Sequence, residues 1–272
     1  MRGERAVTAH YGRTGIAARI LAALGTETPT VEMLEPIDHF HGRGVAATRE
    51  LVAMLKPQPE EAVLDIGSGI GGPARWIAAT CGCRVTGVDL TGPFCEAARA
   101  LNAATGLGDR VRIVEGSALA LPLPDAAFDC AYSQNVVMNI ADKLAMYREA
   151  FRVLKPGGRL ALSNLCAGRD LAGFRYPVPW AATPATSFLA TPEEMRADLV
   201  AAGFEIAVFR DTTDETLPAV IRNRERLERD GLPPLGTHLI LGEELREMGI
   251  NSARNVEEGR ARSIEALVRK PQ

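Results

Sequence analysis

The sequence predicts an α/β fold built on a parallel, doubly wound sheet. Short apolar segments and helical segments alternate strictly from residue 63 to about residue 209, as expected for parallel strands joined by crossover helices. Residues 63–72 read as a buried strand followed at once by a glycine-rich turn, and residues 73–81 then have helical spacing. Strand, glycine turn and helix in this order allow a backbone to wrap closely around a nucleotide.

The part of the chain before this alternation is predicted to be helical. Residues 6–24 are expected to form one helix, because apolar residues recur at helical spacing between Ile16 and Leu24. Residues 35–44 read as a loop, and residues 44–55 as a second helix.

The remaining elements follow from the same periodicities. Further strands are predicted at 84–89, 110–114, 128–133, 159–164, 204–209 and 264–269, and further helices at 91–105, 142–154, 191–202, 214–230 and 242–259. We interpret the chain as a single domain, residues 1–272, whose parts are an N-terminal helical lid (1–56), a core (57–212), a helical cap (213–260) and a last strand (261–272).

The glycine turn has two interpretations. Gly67, Gly69 and Gly72 satisfy the dinucleotide pattern G-x-G-x-x-G, whereas Asp65, Gly67, Gly69 and Gly71 satisfy D-x-G-x-G-x-G. A third reading is a helix cap with a mobile loop and no ligand. Asp65 ends the strand, where a carboxylate is hard to explain by packing and could accept hydrogen bonds from loop amides or a cationic ligand group.

A second acid ends the second strand. Asp89 follows Asp65 by 24 positions, and a carboxylate at this point of a doubly wound sheet is placed to bind both hydroxyls of an adenosine ribose. Leu90 comes next and could pack against an adenine face.

The charge, hydropathy and cysteine content of the sequence indicate which kinds of binding partner to expect. The 272 residues carry a net charge of -3 with a pI of about 5.9, so we expect no broad basic surface and no nucleic-acid partner. No apolar run approaches the roughly eighteen residues that a membrane span needs, and the first residues lack the apolar core of a signal peptide. We therefore expect no membrane association. Five cysteines without paired spacing predict reduced thiols in a cytoplasmic protein.

Two histidines in the segment 35–44 raise the question of a metal. His39 and His41 lie two positions apart, and no third ligand type stands nearby. Metal motifs space their ligands differently, so we expect no metal site.

The order of the motifs resembles class I S-adenosylmethionine-dependent methyltransferases. The motifs are Asp65-x-Gly67-x-Gly69-x-Gly71, Asp89, Gly116-Ser117-Ala118, Phe128-Asp129 and Leu154-Lys155-Pro156-Gly157-Gly158. The stretches 37–42 and 71–75 are similar to those of small-molecule enzymes of the sarcosine/dimethylglycine, tocopherol and ubiquinone/menaquinone type.

The resemblance implies a Rossmann-like, seven-stranded, mostly parallel sheet of order 3-2-1-4-5-7-6, with strand 7 antiparallel and a helical cap inserted between strands 6 and 7. It also implies S-adenosyl-L-methionine as the cofactor and a small molecule as the methyl acceptor. We expect the proline- and aromatic-containing loop 167–190 and the segment 212–260 to form the acceptor pocket. A monomer or homodimer is expected.

The same resemblance places the cofactor-binding residues. Asp65 and the glycine turn would surround the methionine part, Asp89 the ribose, Leu90 and Ser117 the adenine, and the end of the fourth strand the amino-acid end. The complete expected set is Tyr11, His41, Asp65, Gly67, Ser68, Gly69, Gly71, Asp89, Leu90, Ser117, Ala118, Ser133 and Gln134. Relatives often have Asp where this chain has Ser117, so a hydroxyl or backbone groups would face the adenine here.

The expected catalysis is by proximity and exclusion of water. Where relatives often have a histidine after the fourth strand, this chain has Asn135 and Asn139, and neither accepts a proton at neutral pH. His41 and Tyr11 precede the core and are expected to position the acceptor. These four residues are the candidate catalytic residues.

Two other functions compete with methyl transfer. One is an NAD-dependent oxidoreductase using Gly67, Gly69 and Gly72, against which stand Asp65 and the Lys-Pro-Gly-Gly element. The other is a non-catalytic binding module of methyltransferase fold, because a fold does not fix an activity.

Overall fold

A computed structural model describes residues 2–39 and 43–272 of the chain. Its strands are β1 (Ala62–Ile66), β2 (Arg84–Asp89), β3 (Val111–Glu115), β4 (Phe128–Gln134), β5 (Leu154–Ala167), β6 (Glu205–Asp211) and β7 (Ala261–Arg269). They form a seven-stranded sheet of order β3-β2-β1-β4-β5-β7-β6. The first five strands pair in parallel, whereas β7 is antiparallel to β5 and β6. The predicted fold class and strand order are confirmed.

Eleven α-helices are found in the described part of the chain. They are α1 (Arg2–His10), α2 (Ile16–Leu24), α3 (Val31–Asp38), α4 (Val45–Leu55), α5 (Gly72–Cys81), α6 (Gly92–Ala104), α7 (Lys143–Val153), α8 (Pro192–Ala201), α9 (Thr213–Asp230), α10 (His238–Leu241) and α11 (Leu245–Glu257). Helices α9 to α11 lie between β6 and β7 in the chain, where the helical cap was expected. Within the described residues, no helix is long and apolar enough to cross a membrane.

The two faces of the sheet carry separate apolar layers. Along β1, Leu64 and Ile66 belong to one buried cluster and Val63 to another, as the alternation of side chains in a strand requires. The first cluster includes Tyr147 of α7, and the second includes Leu51 of α4. Both faces are therefore covered by helices, which is the doubly wound arrangement.

The N-terminal part differs from the prediction. The expected helix 6–24 is two helices, because the chain leaves α1 at Tyr11 and Gly15 precedes α2 in the left-handed conformation with φ 65°. The expected loop 35–44 is partly helical: α3 begins after Thr30, whose side chain caps the amide of Met33. In this part of the chain, the left-handed Gly15 and the Thr30 cap determine where the helices begin, although the spacing of apolar residues predicted other boundaries.

The fifth strand is longer than predicted. It begins at Leu154, directly after α7, and runs through the Lys-Pro-Gly-Gly element. The pairing with β4 shifts between Phe128 and Cys130, so the element is a strand with an irregular register and not a turn between helix and strand. The predicted helix starts at Asp142 and Thr191 are both confirmed, since each side chain caps the backbone three positions ahead.

Candidate functional site

A cavity of about 420 Å³ opens at the carboxyl ends of β1, β2 and β4. This edge of an open α/β sheet is where ligands bind, because the strand order reverses there. Most of the predicted cofactor-binding residues meet in its wall, namely Tyr11, Asp65, Gly67, Ser68, Gly69, Asp89, Leu90, Ser117, Ala118 and Gln134. We call it the first cavity.

The glycine turn is held by the backbone of β2. The amides of Gly67 and Ser68 both donate to the carbonyl of Val88, at 2.8 and 3.1 Å. Gly67 has φ 80°, and a Cβ added there would lie 2.3 Å from Cγ2 of Val136. Only glycine fits this position, for both conformational and steric reasons. The turn therefore packs directly against the side chain of Val136 at the end of β4.

Asp89 organises the turn from the end of β2. Its Oδ2 accepts the amide of Gly69 at 2.8 Å, and its Oδ1 accepts the amide of Thr91 at 2.9 Å. Burial raises the pKa of Asp89, and these two amides oppose the rise. Each carboxylate oxygen has two acceptor sites, so both oxygens can still accept a hydroxyl from a ligand in the cavity.

Asp65 is buried but still contributes to the cavity wall. The hydroxyl of Tyr132 donates to its Oδ2 at 2.7 Å. Burial raises the pKa of Asp65 to about 7; the hydrogen bond from Tyr132 opposes this rise, and the nearby Asp89 adds to it. A cationic ligand group would favour the ionised carboxylate.

Helix α1 contributes Glu4 and Val7 to the wall of the first cavity. At one end, Ser117 donates a hydrogen bond to the carboxylate of Glu4. At the other end, the ring of His10 lies 3.0 Å from the carbonyl of Pro179, and the hydroxyl of Tyr11 donates to the same oxygen at 3.4 Å. The ring of Tyr11 also packs on Phe94, 5.3 Å between centroids. These contacts attach both ends of the segment 4–11 to other parts of the chain, and its role as a lid stays a prediction.

A buried ion pair attaches α3 to the glycine turn. Arg75 is fully buried, and its guanidinium donates to both carboxylate oxygens of Asp38. Its Nη1 also donates to the carbonyl of Ile70 at 2.8 Å and to the side chain of Asn102 at 2.9 Å. The backbone of Asp38 packs so closely on Gly72 that a Cβ there would lie 2.2 Å from its carbonyl oxygen.

A second cavity of about 170 Å³ lies beside the first. Its wall comes from α4, from the ends of β5 and β7, from the loop 167–190 and from the cap helices α9 and α11. Tyr11 and Asn135 line both cavities. The two cavities therefore meet between the end of α1 and the end of β4.

The carboxyl end of β4 has an unusual backbone at this junction. Asn135 has φ 55°, a left-handed conformation that non-glycine residues rarely adopt and asparagine tolerates best. Its amide donates to the carbonyl of Ser163 on β5 at 2.8 Å. Asn139 lies four residues on and lines the first cavity. Strained residues of this kind concentrate at functional sites.

Three of the predicted cofactor-binding residues are not among the described residues that line the first cavity. Ser133 lies behind its wall, where its hydroxyl donates to the carbonyl of Ile66 at 2.9 Å. Gly71 shapes the turn and lies outside the lining, with its amide donating to Ser68. His41 lies outside the described residues. His39 is described and contacts Thr48 at 2.9 Å. Burial, together with the nearby charges of Arg75 and Arg49, lowers the pKa of His39 to about 4, so it is neutral.

The structure adds lining residues that the sequence did not indicate. They are mostly apolar or on the lid: Glu4, Val7, Asp38, Ile70, Pro73, Val136, Ile140 and Ile240. Among the described positions, no group of three or more His, Cys, Asp or Glu side chains is arranged to hold a metal ion.

Fold and site together define a nucleotide-cofactor-binding α/β protein. A family model described as a methyltransferase domain matches residues 64–162. The sarcosine/dimethylglycine N-methyltransferase of Halorhodospira halochloris is 31% identical over 196 residues, covering 72% of this chain and 69% of that protein. The chain belongs to the S-adenosylmethionine-dependent methyltransferases.

Other relatives differ in size and acceptor. Phosphoethanolamine N-methyltransferase 1 of Arabidopsis thaliana is 30% identical over 197 residues, and the match spans 69% of this chain but 37% of that protein. A solved geranyl diphosphate C-methyltransferase from Streptomyces coelicolor A3(2) superposes with a TM-score of 0.71 at 17% identity, covering 99% of this chain and 98% of that chain. This last likeness concerns the fold.

Proposed function

We propose that this chain transfers a methyl group from S-adenosylmethionine, bound in the first cavity, to a small molecule bound in the second. The main observation in support of this proposal is that the two cavities meet at Tyr11 and Asn135. A donor and an acceptor held on either side of this junction would be brought together without free diffusion, which is the main requirement of methyl transfer.

The residues of the first cavity fit this cofactor. Asp89 has free acceptor sites for ribose hydroxyls, Leu90 offers an apolar surface for adenine, and Asp65 offers a carboxylate to a cationic group. The hydroxyl oxygen of Ser68 and the Nε2 of Gln134 are buried without a hydrogen-bond partner among the described residues. Unpaired buried polar atoms are uncommon and indicate a missing partner.

The chain's own residues would act by alignment and exclusion of water. When bound, the cofactor supplies a methyl group on a cationic sulfonium, which is already a strong electrophile. Burial raises the pKa of Tyr11 far above neutrality, and this rise exceeds the opposing effect of Asn139, so Tyr11 stays protonated and cannot serve as a base near pH 7. Asn135 and Asn139 have no basic group. The lid contacts of α1 would keep water out of the junction.

Calorimetry tests the proposed function directly. We expect S-adenosylmethionine and S-adenosylhomocysteine to bind with one site per chain, and NAD to bind far more weakly or not at all. Incubation of the loaded protein with acceptor mixtures should then yield S-adenosylhomocysteine. Tight NAD binding without binding of either adenosyl ligand would support the oxidoreductase instead, and adenosyl binding without turnover of any acceptor would support the non-catalytic module.

Cofactor affinity should depend on pH through Asp65. With a pKa of about 7 in the free protein, Asp65 is protonated below pH 7, and binding a cationic group would require loss of that proton. Affinity should therefore be constant above pH 7 and fall by up to about tenfold for each pH unit below it. Calorimetry between pH 5.5 and 7.5 measures this. Asp65→Asn should remove the dependence; an unchanged slope in that variant would assign the ionisation elsewhere.

The cellular setting is a separate part of the proposal. The net charge of -3 and the five cysteines, all free, fit a cytoplasmic protein acting on a small molecule and not on nucleic acid. We propose a monomer or homodimer in which residues 1–56 act as the lid and residues 213–260 as the cap. Sedimentation at several protein concentrations measures the oligomeric state.

A further inference from the structure

We infer that the acceptor is an uncharged molecule with an apolar body and an oxygen atom, a hydroxyl or a carbonyl, that accepts a hydrogen bond from the side chain of Asn164. This inference rests on the proposed function, because it assigns a substrate class to the second cavity. It concerns the charge of the acceptor and one of its functional groups.

The charge balance of the second cavity argues against an anionic acceptor. Among the described lining residues, Arg43 is the one with a charged side chain. Its guanidinium donates to both carboxylate oxygens of Glu50, at 2.9 and 2.6 Å, and lies 3.6 Å from the carboxylate of Glu265. A phosphate or carboxylate on the acceptor would compete with two existing carboxylates for one cation. Anion sites instead gather several free donors or cations.

The rest of the lining combines apolar and neutral polar groups. Met138, Leu165, Trp180, Val220 and Val256 provide apolar contact area. The polar members are amides and hydroxyls, namely Asn135, Asn164, Asn223, Ser163, Thr212, Thr216, Ser252 and Ser263, together with Tyr11. Binding pockets of this composition hold an apolar body and fix its orientation through a few hydrogen bonds.

Among the described residues that line the second cavity, Asn164 has a buried side-chain atom without a hydrogen-bond partner. It lies on β5, 3% exposed, and its Oδ1 accepts the amides of Val136 and Val137 at 3.3 and 3.5 Å. These two donors identify the oxygen of the side-chain amide, so the other atom is Nδ2. That Nδ2 is buried with no hydrogen-bond partner among the described residues. A buried donor without a partner is costly, and a ligand oxygen would satisfy it.

Hydrogen bonds connect Asn164 to the junction of the two cavities. Val136 and Val137 directly follow Asn135, which like Tyr11 lines both cavities. Asn164 therefore holds the backbone of the junction with its oxygen, and the same side chain, whose nitrogen has no partner among the described residues, lines the second cavity. An N–H donor needs a lone pair, which a hydroxyl or carbonyl offers and an ammonium group does not. Asn164 is thus a positioning residue for an oxygen-bearing acceptor.

A matched set of ligands tests the substrate class by binding alone. The protein loaded with S-adenosylhomocysteine is titrated with naphthol and acetonaphthone, which are uncharged, and with naphthyl phosphate, naphthoate and naphthylmethylammonium, which share the ring system. We expect at least about tenfold tighter binding of an uncharged member, the scale of one well-formed hydrogen bond without a desolvated charge. Comparable or tighter binding of any charged member, or no binding of either uncharged one, overturns the inference.

Variants of Asn164 test its role. Asn164→Asp keeps the oxygen that accepts Val136 and Val137 but replaces the donor by a second oxygen. Binding of acetonaphthone, which can only accept a hydrogen bond, should therefore weaken at least about tenfold while S-adenosylhomocysteine binding stays unchanged. Asn164→Leu removes the donor without adding charge, and also removes the oxygen that accepts Val136 and Val137, so acetonaphthone binding should weaken at least as much. Asn102→Asp is the control, since Asn102 is equally buried, is fully hydrogen-bonded and lines neither cavity. Thermal melting shows whether each variant is folded.

The outcomes separate the inference from the proposed function. Unchanged acetonaphthone affinity in both folded Asn164 variants overturns the role of Asn164, whatever the cofactor does. Failure of the wild-type protein to bind S-adenosylhomocysteine contradicts the proposed function itself. Loss of S-adenosylhomocysteine binding in folded Asn164→Asp would mean that Asn164 acts on the first cavity, and this also contradicts the inference.

Discussion

Replacing Arg75 with methionine should lower the free energy of unfolding by about 3–5 kcal/mol, the cost of leaving one partner of a buried ion pair without the other. Arg75 is fully buried and Asp38 is 2% exposed, so the remaining carboxylate could not reach water. Burial raises the pKa of Asp38 and Arg75 opposes the rise. The loss should therefore grow with pH, because the lone carboxyl must stay protonated to remain buried. Denaturant unfolding measures it.

A matched substitution on the surface provides the control. Arg229 also pairs with a carboxylate, that of Asp230, but its side chain is 69% exposed. Arg229→Met should change stability by no more than about 0.5 kcal/mol. The double variant Arg75→Met with Asp38→Leu should recover most of the loss, because no unpaired charge remains. Equal effects of the two single Arg→Met changes would show that the buried pair has no special role.

Replacing Asp89 with alanine should weaken S-adenosylmethionine binding by about 1–3 kcal/mol, or roughly 5- to 150-fold, the scale for hydrogen bonds to a charged group. Two contributions add here. The carboxylate would no longer accept hydroxyls from the ribose, and the amides of Gly69 and Thr91 would lose the oxygens that fix the turn. Isothermal titration of the folded variant measures the change.

The neighbouring acid is the control for Asp89. Glu115 pairs with Asp89 in the register of β2 and β3 but does not line the first cavity. Glu115→Ala should leave cofactor affinity within about twofold, as expected for a surface change away from the ligand. Unchanged affinity in Asp89→Ala would contradict the assignment of the ribose site to the end of β2.

The sequence alone was sufficient for the framework of the site. The alternation of apolar and helical segments predicted the doubly wound sheet, and the glycines after β1 predicted the turn. Asp65 and Asp89 were predicted from their places at strand ends, and both line the first cavity. Such signals are local: a turn that needs glycine or a strand that must be apolar depends on a few consecutive residues, so it is visible in the chain itself.

Which side chains line the first cavity depends on the folded structure. Ser133 and Gln134 are consecutive at the end of β4, yet Gln134 lines the first cavity while Ser133 bonds to Ile66 behind it, because successive side chains of a strand point to opposite faces. Asp38 and Arg75, 37 positions apart, form their pair through the packing of α3 on α5.

The second cavity and the free donor of Asn164 likewise depend on distant parts of the chain. Its wall joins residues from Tyr11 to Ser263. Burial, pKa and the absence of a hydrogen-bond partner are properties of the surroundings of an atom, and those surroundings exist only after strands and helices from the whole chain have packed together. The sequence therefore determined the framework of the first cavity and indicated the segments 167–190 and 212–260 around the second, whereas the shape of the second cavity and its free donor depend on the folded structure.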